Sequence, residues 1–479
     1  MLPKNLKYGS KVESAYARSY RTNIAPQNGT SYGLGDNIII NIPTRNNLVL
    51  VPSESYLKFN FTINNTSGSA SSYRLDSVGM HALVQRIRIF HGSNLLQDID
   101  NYGLLAKMLF DLQMPTDACY GKQNILTGCR SDLNVTLPAT SGTYVQSELN
   151  AVKLSANQIN SGILLGSATA NNASTSTKSF ALNLVSLIGS LCPNNYIPLF
   201  AATSAPLRVE IQLVDSIAKL CACTSATGTI SMTSVEYVAN FIELGDNAIS
   251  MIYDSLQGSP LQFVVPDYRN YQFSYSLVQN VQTGVNIPIP AKFSSLKSLF
   301  VMCRDQGTGA ATYFPLSTVT KGLNSYYFRV GSTIMPSKAV DDYVQCFAEV
   351  TKAIGSISDI NHQPSIEYTS YSLTDSVANG HTDQSVNSGS FYIGLDLENY
   401  ASADKSSIFA GYNSNTDDIY AVLTHTNTSS TATVRYDAFA LFFDEVIVFE
   451  NNTAYYILCK ILRKINKYYS YIYFLTINI

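Results

Sequence analysis

The sequence predicts an all-β protein made of two similar β-sandwich halves, with a few helices inserted between strands. Three observations carry this. Apolar and polar residues alternate with period two in segment after segment, the signature of strands with one wet face. Composition is 46% hydrophobic but only 14% charged, with 32 Tyr, 21 Phe and no Trp among 479 residues, which suits sheets joined by polar loops. Finally, segments of the first half are echoed in the second at offsets clustering near 210 residues, about one sandwich domain.

In chain order, residues 1–35 read as a basic N-terminal arm, with Lys4, Lys7, Lys11, Arg18 and Arg21 against one acid, Glu13. In YLKFNFTIN, Leu57, Phe59, Phe61 and Ile63 face inward while Lys58, Asn60 and Thr62 face out. LVQRIRIFHGSNLLQDID reads as strand, turn and returning strand. Ile87 and Ile89 are core, so Arg86 and Arg88 share the opposite face. A helix follows over 101–112, with Asp98 or Asp100 placed to cap its positive end. PLRVEIQLV is another strand, and the first half runs out near Asp246–Gly258. The second half holds the strands YQFSYSL and FYIGLDLEN and a helix over 340–352. Polar stretches at 136–180, 369–390 and 401–433 read as long surface loops. The echoes pair YLKFNFTI with YQFSYSL, VQRIRIFHG with LKSLFVMCRD, and SVEYVANFIELGDN with DAFALFFDEVIVFENN. The implied division is arm 1–35, first half 36–247, second half 248–452, and tail 453–479.

The tail is unlike the rest. Read as a helix, it sets Lys460, Arg463, Lys464 and Lys467 against Leu458, Ile461, Leu462 and Ile465, a basic amphipathic pattern suited to a membrane surface or partner. Its restriction to Ile, Tyr, Lys, Asn and Leu equally fits a gene-prediction artefact, and both readings stand at this level.

Chemistry is hard to find. Net charge is −3 and the pI about 6.0, so there is no global basic field for nucleic acid. Eight cysteines are too dilute for a disulfide scaffold; Cys221 and Cys223, the one tight pair, lack nearby co-ligands. No phosphate loop, zinc-helix motif, nucleophile elbow or dinucleotide fingerprint occurs. His81, His91, His362, His381 and His425 are scattered, mostly in loop-like contexts. Asp396/Glu398 read as the wet face of a strand and Asp417-Asp418 as a loop. No secretory leader or membrane span is expected, so the sequons at Asn60, Asn134, Asn172 and Asn427 read as chance matches. Arg86 and Arg88 are a solvated pair or a subunit- or domain-contact site. No catalytic, metal or cofactor residues are expected.

Three pieces, GSNLLQDIDNYGLLAKMLFD, the IPL…APL…I.L pattern over 197–213, and YYFRVGSTIMPSKAVDDYVQCF, resemble the double jelly-roll major capsid proteins of the tailless phage and adenovirus lineage. Virophage and Polinton-like members are the most similar, over roughly 35–452. The resemblance implies two tandem eight-stranded jelly rolls per chain, and a homotrimer of pseudo-hexagonal outline. Such trimers would tile an icosahedral virion shell with penton and minor capsid proteins, and an internal membrane reached through the termini is a further implied partner. It implies no enzyme, no cofactor and no sequence-specific nucleic-acid binding. A surface or secreted adhesin or glycan-binding sandwich is the alternative.

Overall fold

The computed structural model describes residues 16–458, apart from 66–70, 131–165, 169–176, 192–195, 224–227, 257–259, 306–313, 356, 359–363, 375–387, 400–410, 428–431, 443–444 and 451–452. In the first half, one sheet sets Ala17–Ile24, Gly228–Leu244, Tyr56–Asn65 and Lys178–Leu182 side by side. The second orders Asn37–Ile42, Leu207–Leu213, Val84–His91 and Asn94–Asp100. Counting these eight strands along the chain, the orders are first-eighth-third-sixth and second-seventh-fourth-fifth. The second half repeats both orders. One sheet runs Asp267–Leu277, Ala432–Phe442, Leu296–Asp305, Ile393–Asp396, and the other Gln282–Ile289, Ile419–Thr426, Leu323–Val330, Thr333–Val340. This strand order is the jelly roll, and the chain contains it twice.

The cores follow from the alternation. Leu57, Phe59, Phe61 and Ile63 meet Ile38, Ile40, Ile87, Ile89 and Val209 in one buried cluster. Val285, Ile287, Leu299, Val301, Phe328, Leu423 and Ala438 form the other. Each half also sends a twelve-residue helix out of the equivalent hairpin, Tyr102–Gln113 and Tyr343–Ile354, close to the two helices expected.

Several expectations are corrected. The repeat is real in topology, but two of its three sequence echoes are out of step, YLKFNFTI with YQFSYSL by two strands and VQRIRIFHG with LKSLFVMCRD by one. Tyr56–Asn65 corresponds to Leu296–Asp305, and Val84–His91 to Leu323–Val330; only Gly228–Leu244 with Ala432–Phe442 keeps its partner. Two strands precede Tyr56–Asn65 and neither was read from the sequence: Asn37–Ile42, and Ala17–Ile24, which lies inside what reads as an arm. It pairs with Gly228–Leu244 from Ala17↔Leu244 to Ile24↔Tyr237. Arg18 and Arg21 therefore belong to a sheet, whereas Lys4, Lys7 and Lys11 lie outside the described residues. The expected loop 401–433 contains a central strand, Ile419–Thr426, bonded on both sides. The boundary region holds a helix, Asp246–Leu256.

The tail begins as a strand rather than a helix. Thr453–Leu458 folds back on Glu445–Glu450, which also pairs with Leu261–Val264. This hairpin reaches across to the first jelly roll. The Ala454 amide donates to His91 Nδ1 at 3.1 Å, which leaves His91 Nε2–H to donate to the Ala202 carbonyl at 3.0 Å.

Candidate functional site

The stretch from Gln97 to Asp111 is where the chemistry-bearing side chains converge, and they converge on the seam between the two jelly rolls. The helix Tyr102–Gln113 is apolar nearly all round, so burial on every side is its stable state. Eleven of its twelve residues are buried. One side packs on its own sandwich. The other is covered by the second, whose Phe300, Met302, Leu316, Tyr392, Phe439 and Leu441 join the first core.

Within this apolar contact lie two charges. Lys107 and Asp111 are 0% and 5% exposed and sit 3.1 Å apart. A buried ion pair survives only where further hydrogen bonds satisfy it, and here the second jelly roll supplies them. Lys107 Nζ donates to the Gly389 carbonyl at 2.7 Å and to Ser390 Oγ at 3.1 Å. Asp111 Oδ2 accepts from Ser390 Oγ at 2.7 Å and from the Tyr392 hydroxyl at 2.6 Å. Burial, with the Asp111 charge beside it, holds the Tyr392 phenol well above its usual range.

Three more carboxylates are locked across the same seam. Asp76, fully buried, accepts from Ser388 Oγ at 2.7 Å and the Leu316 amide at 2.9 Å. Asp267 accepts from Gln97 Nε2 at 3.2 Å, and burial raises its pKa to about 6. Asp437 binds Arg304 at 2.6 Å, Arg435 at 3.2 Å and Asn101 Nδ2 at 3.1 Å. Burial, with the Arg304 charge beside it, pushes the Arg435 guanidinium below its usual range.

Beside Asn101 lies a polar cleft of about 270 Å³ lined by Gln85, Asp100, Gln272, Arg304 and Arg435. Its cations are already paired: the two arginines share Asp437, and Lys219, at its rim, holds Asp215 at 2.8 Å. Among the described residues, no group of three His, Cys, Asp or Glu is arranged to hold a metal. No described helix is long and apolar enough to cross a membrane. The seam holds two folded bodies together.

Arg86 and Arg88 are not part of it. Arg86 donates from Nε and Nη2 to both Asp98 oxygens, at 2.7 and 2.6 Å. Arg88 reaches Glu210 at 2.9 Å. Both pairs lie within one sheet, with Arg86 still 38% exposed. Asp98 is thus consumed by Arg86, and no side chain caps the helix. Its N-cap is Asn101, in the left-handed region with φ 50°.

Other expected surface groups turn out to be interior. Glu398 is buried against Lys297 at 3.3 Å, so Asp396/Glu398 is no solvated pair. His81, His91 and His425 are all buried, and burial lowers His81 to about 3 and His425 to about 4. His362 and His381 lie outside the described residues, as do Lys460, Arg463, Lys464 and Lys467. Cys119, Cys129, Cys221, Cys303 and Cys346 are buried and form no disulfide. Lys107 and Asp111 were the residues sequence reasoning missed, although a Lys–Asp pair four apart in an otherwise apolar helix is a legible mark of a buried pair.

No protein-family model and no curated protein sequence matches the chain. Its fold is nevertheless that of a double jelly roll joined by a buried seam, and solved structures of that class are similar to it. They include the crystal structure of PBCV-1 VP54 fitted into a reconstruction of the virophage Sputnik, with TM-score 0.59, 10% identity, and 95% of this chain and 99% of that one covered. The cryo-EM structure of the Sputnik virophage matches at TM-score 0.57 and 11% identity, over 95% and 91%. The mavirus major capsid protein matches at 0.55 and 11%, over 95% and 93%. Identity at this level speaks for the fold alone.

Proposed function

We propose that this chain is a structural major capsid protein of an icosahedral DNA virus, residing in the virion shell and without catalytic activity. The observation that carries the reading is the twofold jelly roll itself. Two sandwiches of identical strand order, fused by a seam of satisfied buried charges, make a rigid tile. The similar solved structures over 95% of the chain include capsid proteins. Three such chains present six similar sandwiches and form a pseudo-hexagonal homotrimer.

The division we propose follows the sequence, 36–247 and 248–452, with Ala17–Ile24 added to the first roll. Penton and minor capsid proteins are further partners. Lys460, Arg463, Lys464 and Lys467 are proposed contacts for an internal membrane or partner, and Arg86 and Arg88 remain proposed contacts between subunits through their exposed portions. For the adhesin alternative, the sequon at Asn427 is buried and that at Asn60 sits within a strand, whereas Asn134 and Asn172 lie outside the described residues.

Sedimentation and negative-stain imaging of the full chain test the reading. Particles of about three times the 52.4 kDa chain mass with hexagonal outlines are expected. A monomer at all concentrations would overturn it.

A further inference from the structure

Two thiols lie together beside the seam. Cys119 opens the turn Cys119–Gln123, shortly after the helix Tyr102–Gln113, and Cys129 follows the next turn, Asn124–Thr127. Each is 1% exposed. Their Sγ atoms are within hydrogen-bonding reach of each other. Cys129 Sγ also donates to the Ser77 carbonyl at 3.0 Å, and Cys119 Sγ to Ser365 Oγ at 3.6 Å. Ser365 belongs to the second jelly roll, and its amide donates to the Asp111 carbonyl at 3.0 Å.

The two thiols are held differently. The Cys129 carbonyl accepts from Asn124 Nδ2 at 2.6 Å, and the next amide, Arg130, donates to the Ser77 carbonyl at 2.7 Å. Gly79, at φ 68°, lies so close that a Cβ there would stand 2.7 Å from the Cys129 nitrogen. Cys129 is therefore anchored. Cys119 sits under a surface turn whose Thr116, Asp117, Lys122 and Ile125 are exposed, so local opening of that turn uncovers Cys119 first. The thiolate is the reactive form. Hydrogen bonding between the sulfurs holds the Cys119 thiol below its ordinary range against its burial, with Ser365 and the Arg130 charge adding to the effect. The same contact and burial push Cys129 well up.

We propose that Cys119 and Cys129 are a peroxide-reactive pair that closes to a disulfide, Cys119 attacking and Cys129 resolving. The Cys119 thiolate attacks one oxygen of hydrogen peroxide, the O–O bond breaks, and the departing hydroxide takes up a proton as water. Cys119 is left as a sulfenic acid. Cys129 Sγ then attacks Cys119 Sγ, the S–O bond breaks, and the second hydroxide leaves as water with the proton of Cys129. Two thiols lose two electrons and one peroxide becomes two waters. The use of the pair rests on the capsomer reading. A shell protein folds among intracellular reductants and then leaves the cell, so the bridge closes after assembly and tethers the segment that touches both jelly rolls.

The reduced full-length chain, treated with hydrogen peroxide, alkylated and digested with trypsin, tests this. Cleavage after Lys107, Lys122 and Arg130 puts the two cysteines on separate peptides, 108–122 and 123–130. These peptides are expected joined by a reducible bridge, in protein that runs as a single chain on a non-reducing gel. Cys129→Ser is expected to accumulate a sulfenic acid at Cys119, trapped by dimedone, whereas Cys119→Ser leaves Cys129 unlabelled. Closure is expected to raise the melting temperature by about 2–5 °C. The double variant Cys119→Ser/Cys129→Ser, which shares any methionine oxidation, is expected to show no rise. Both peptides alkylated after peroxide, a bridge to another cysteine or between chains, or dimedone on Cys129 would overturn the pair. A bridge without the rise would overturn its stabilising use. The capsomer reading is judged separately, by the oligomer.

Discussion

Lys107 and Asp111 stand one helical turn apart, sealed from water, and each completes its hydrogen bonds only with groups that lie about 280 residues further along the chain. The pair belongs to both jelly rolls at once. Removing one member strands an uncompensated charge in an apolar contact, which costs about 3–5 kcal/mol. Asp111→Asn and Lys107→Met are therefore expected to lower the denaturant midpoint strongly. The double variant Lys107→Met/Asp111→Leu is expected to lose less than the two singles combined. Equilibrium unfolding of the three proteins reads this directly.

The stability of the protein is expected to depend on pH through opposing groups. His81 and His425 have folded pKa values near 3 and 4, below the unfolded value of about 6.5. The unfolded chain binds more protons, so their contribution is present above pH 6.5 and is lost as pH falls towards 4. Asp267, raised to about 6, works the other way. Its native state holds the extra proton, so its contribution is present below about pH 4 and is lost as pH rises towards 6. That change is worth roughly 3 kcal/mol at most. Asp267→Asn is expected to abolish it and to steepen the acid loss, measured as unfolding free energy at pH 4.5 and 7. Parallel curves for variant and wild type would contradict the assignment.

Gly394→Ala is expected to destabilise by about 1–3 kcal/mol, the usual cost of overpacking. The new methyl would meet Val350 Cα and Ala353 Cβ at 2.8 and 3.1 Å, pushing the helix Tyr343–Ile354 off its edge strand. A melting curve of the variant beside that of the wild type scores this.

The Arg86–Asp98 pair gives a contrast. It is bidentate at 2.6 and 2.7 Å but part-exposed on both sides. Asp98→Ala is expected to cost under about 1 kcal/mol, and less in high salt. A loss comparable to that of Asp111→Asn would show that a surface pair can rival the seam.

The strands around Phe59, Ile87 and Val209 were legible because buried and wet positions alternate sharply there. Ile419–Thr426 was not, because its half-buried side carries Tyr420 and Val422 and blurs the contrast, and because polar residues surround it. Ala17–Ile24 was hidden differently. Tyr20 and Ile24 are its main apolar residues on the inner side, and its arginines suggested an arm. With Asn37–Ile42 also passed over, Tyr56–Asn65 was matched to Asp267–Leu277, two strands out of step.

Local pattern was enough for the class of fold and the two helices, since period and composition are properties of short segments. Which charges are interior was decided only in three dimensions. Lys297 and Glu398, and Asp111 and Tyr392, are brought together by the packing of segments far apart in the chain. Whether a carboxylate faces water or a lysine depends on what the rest of the molecule lays over it.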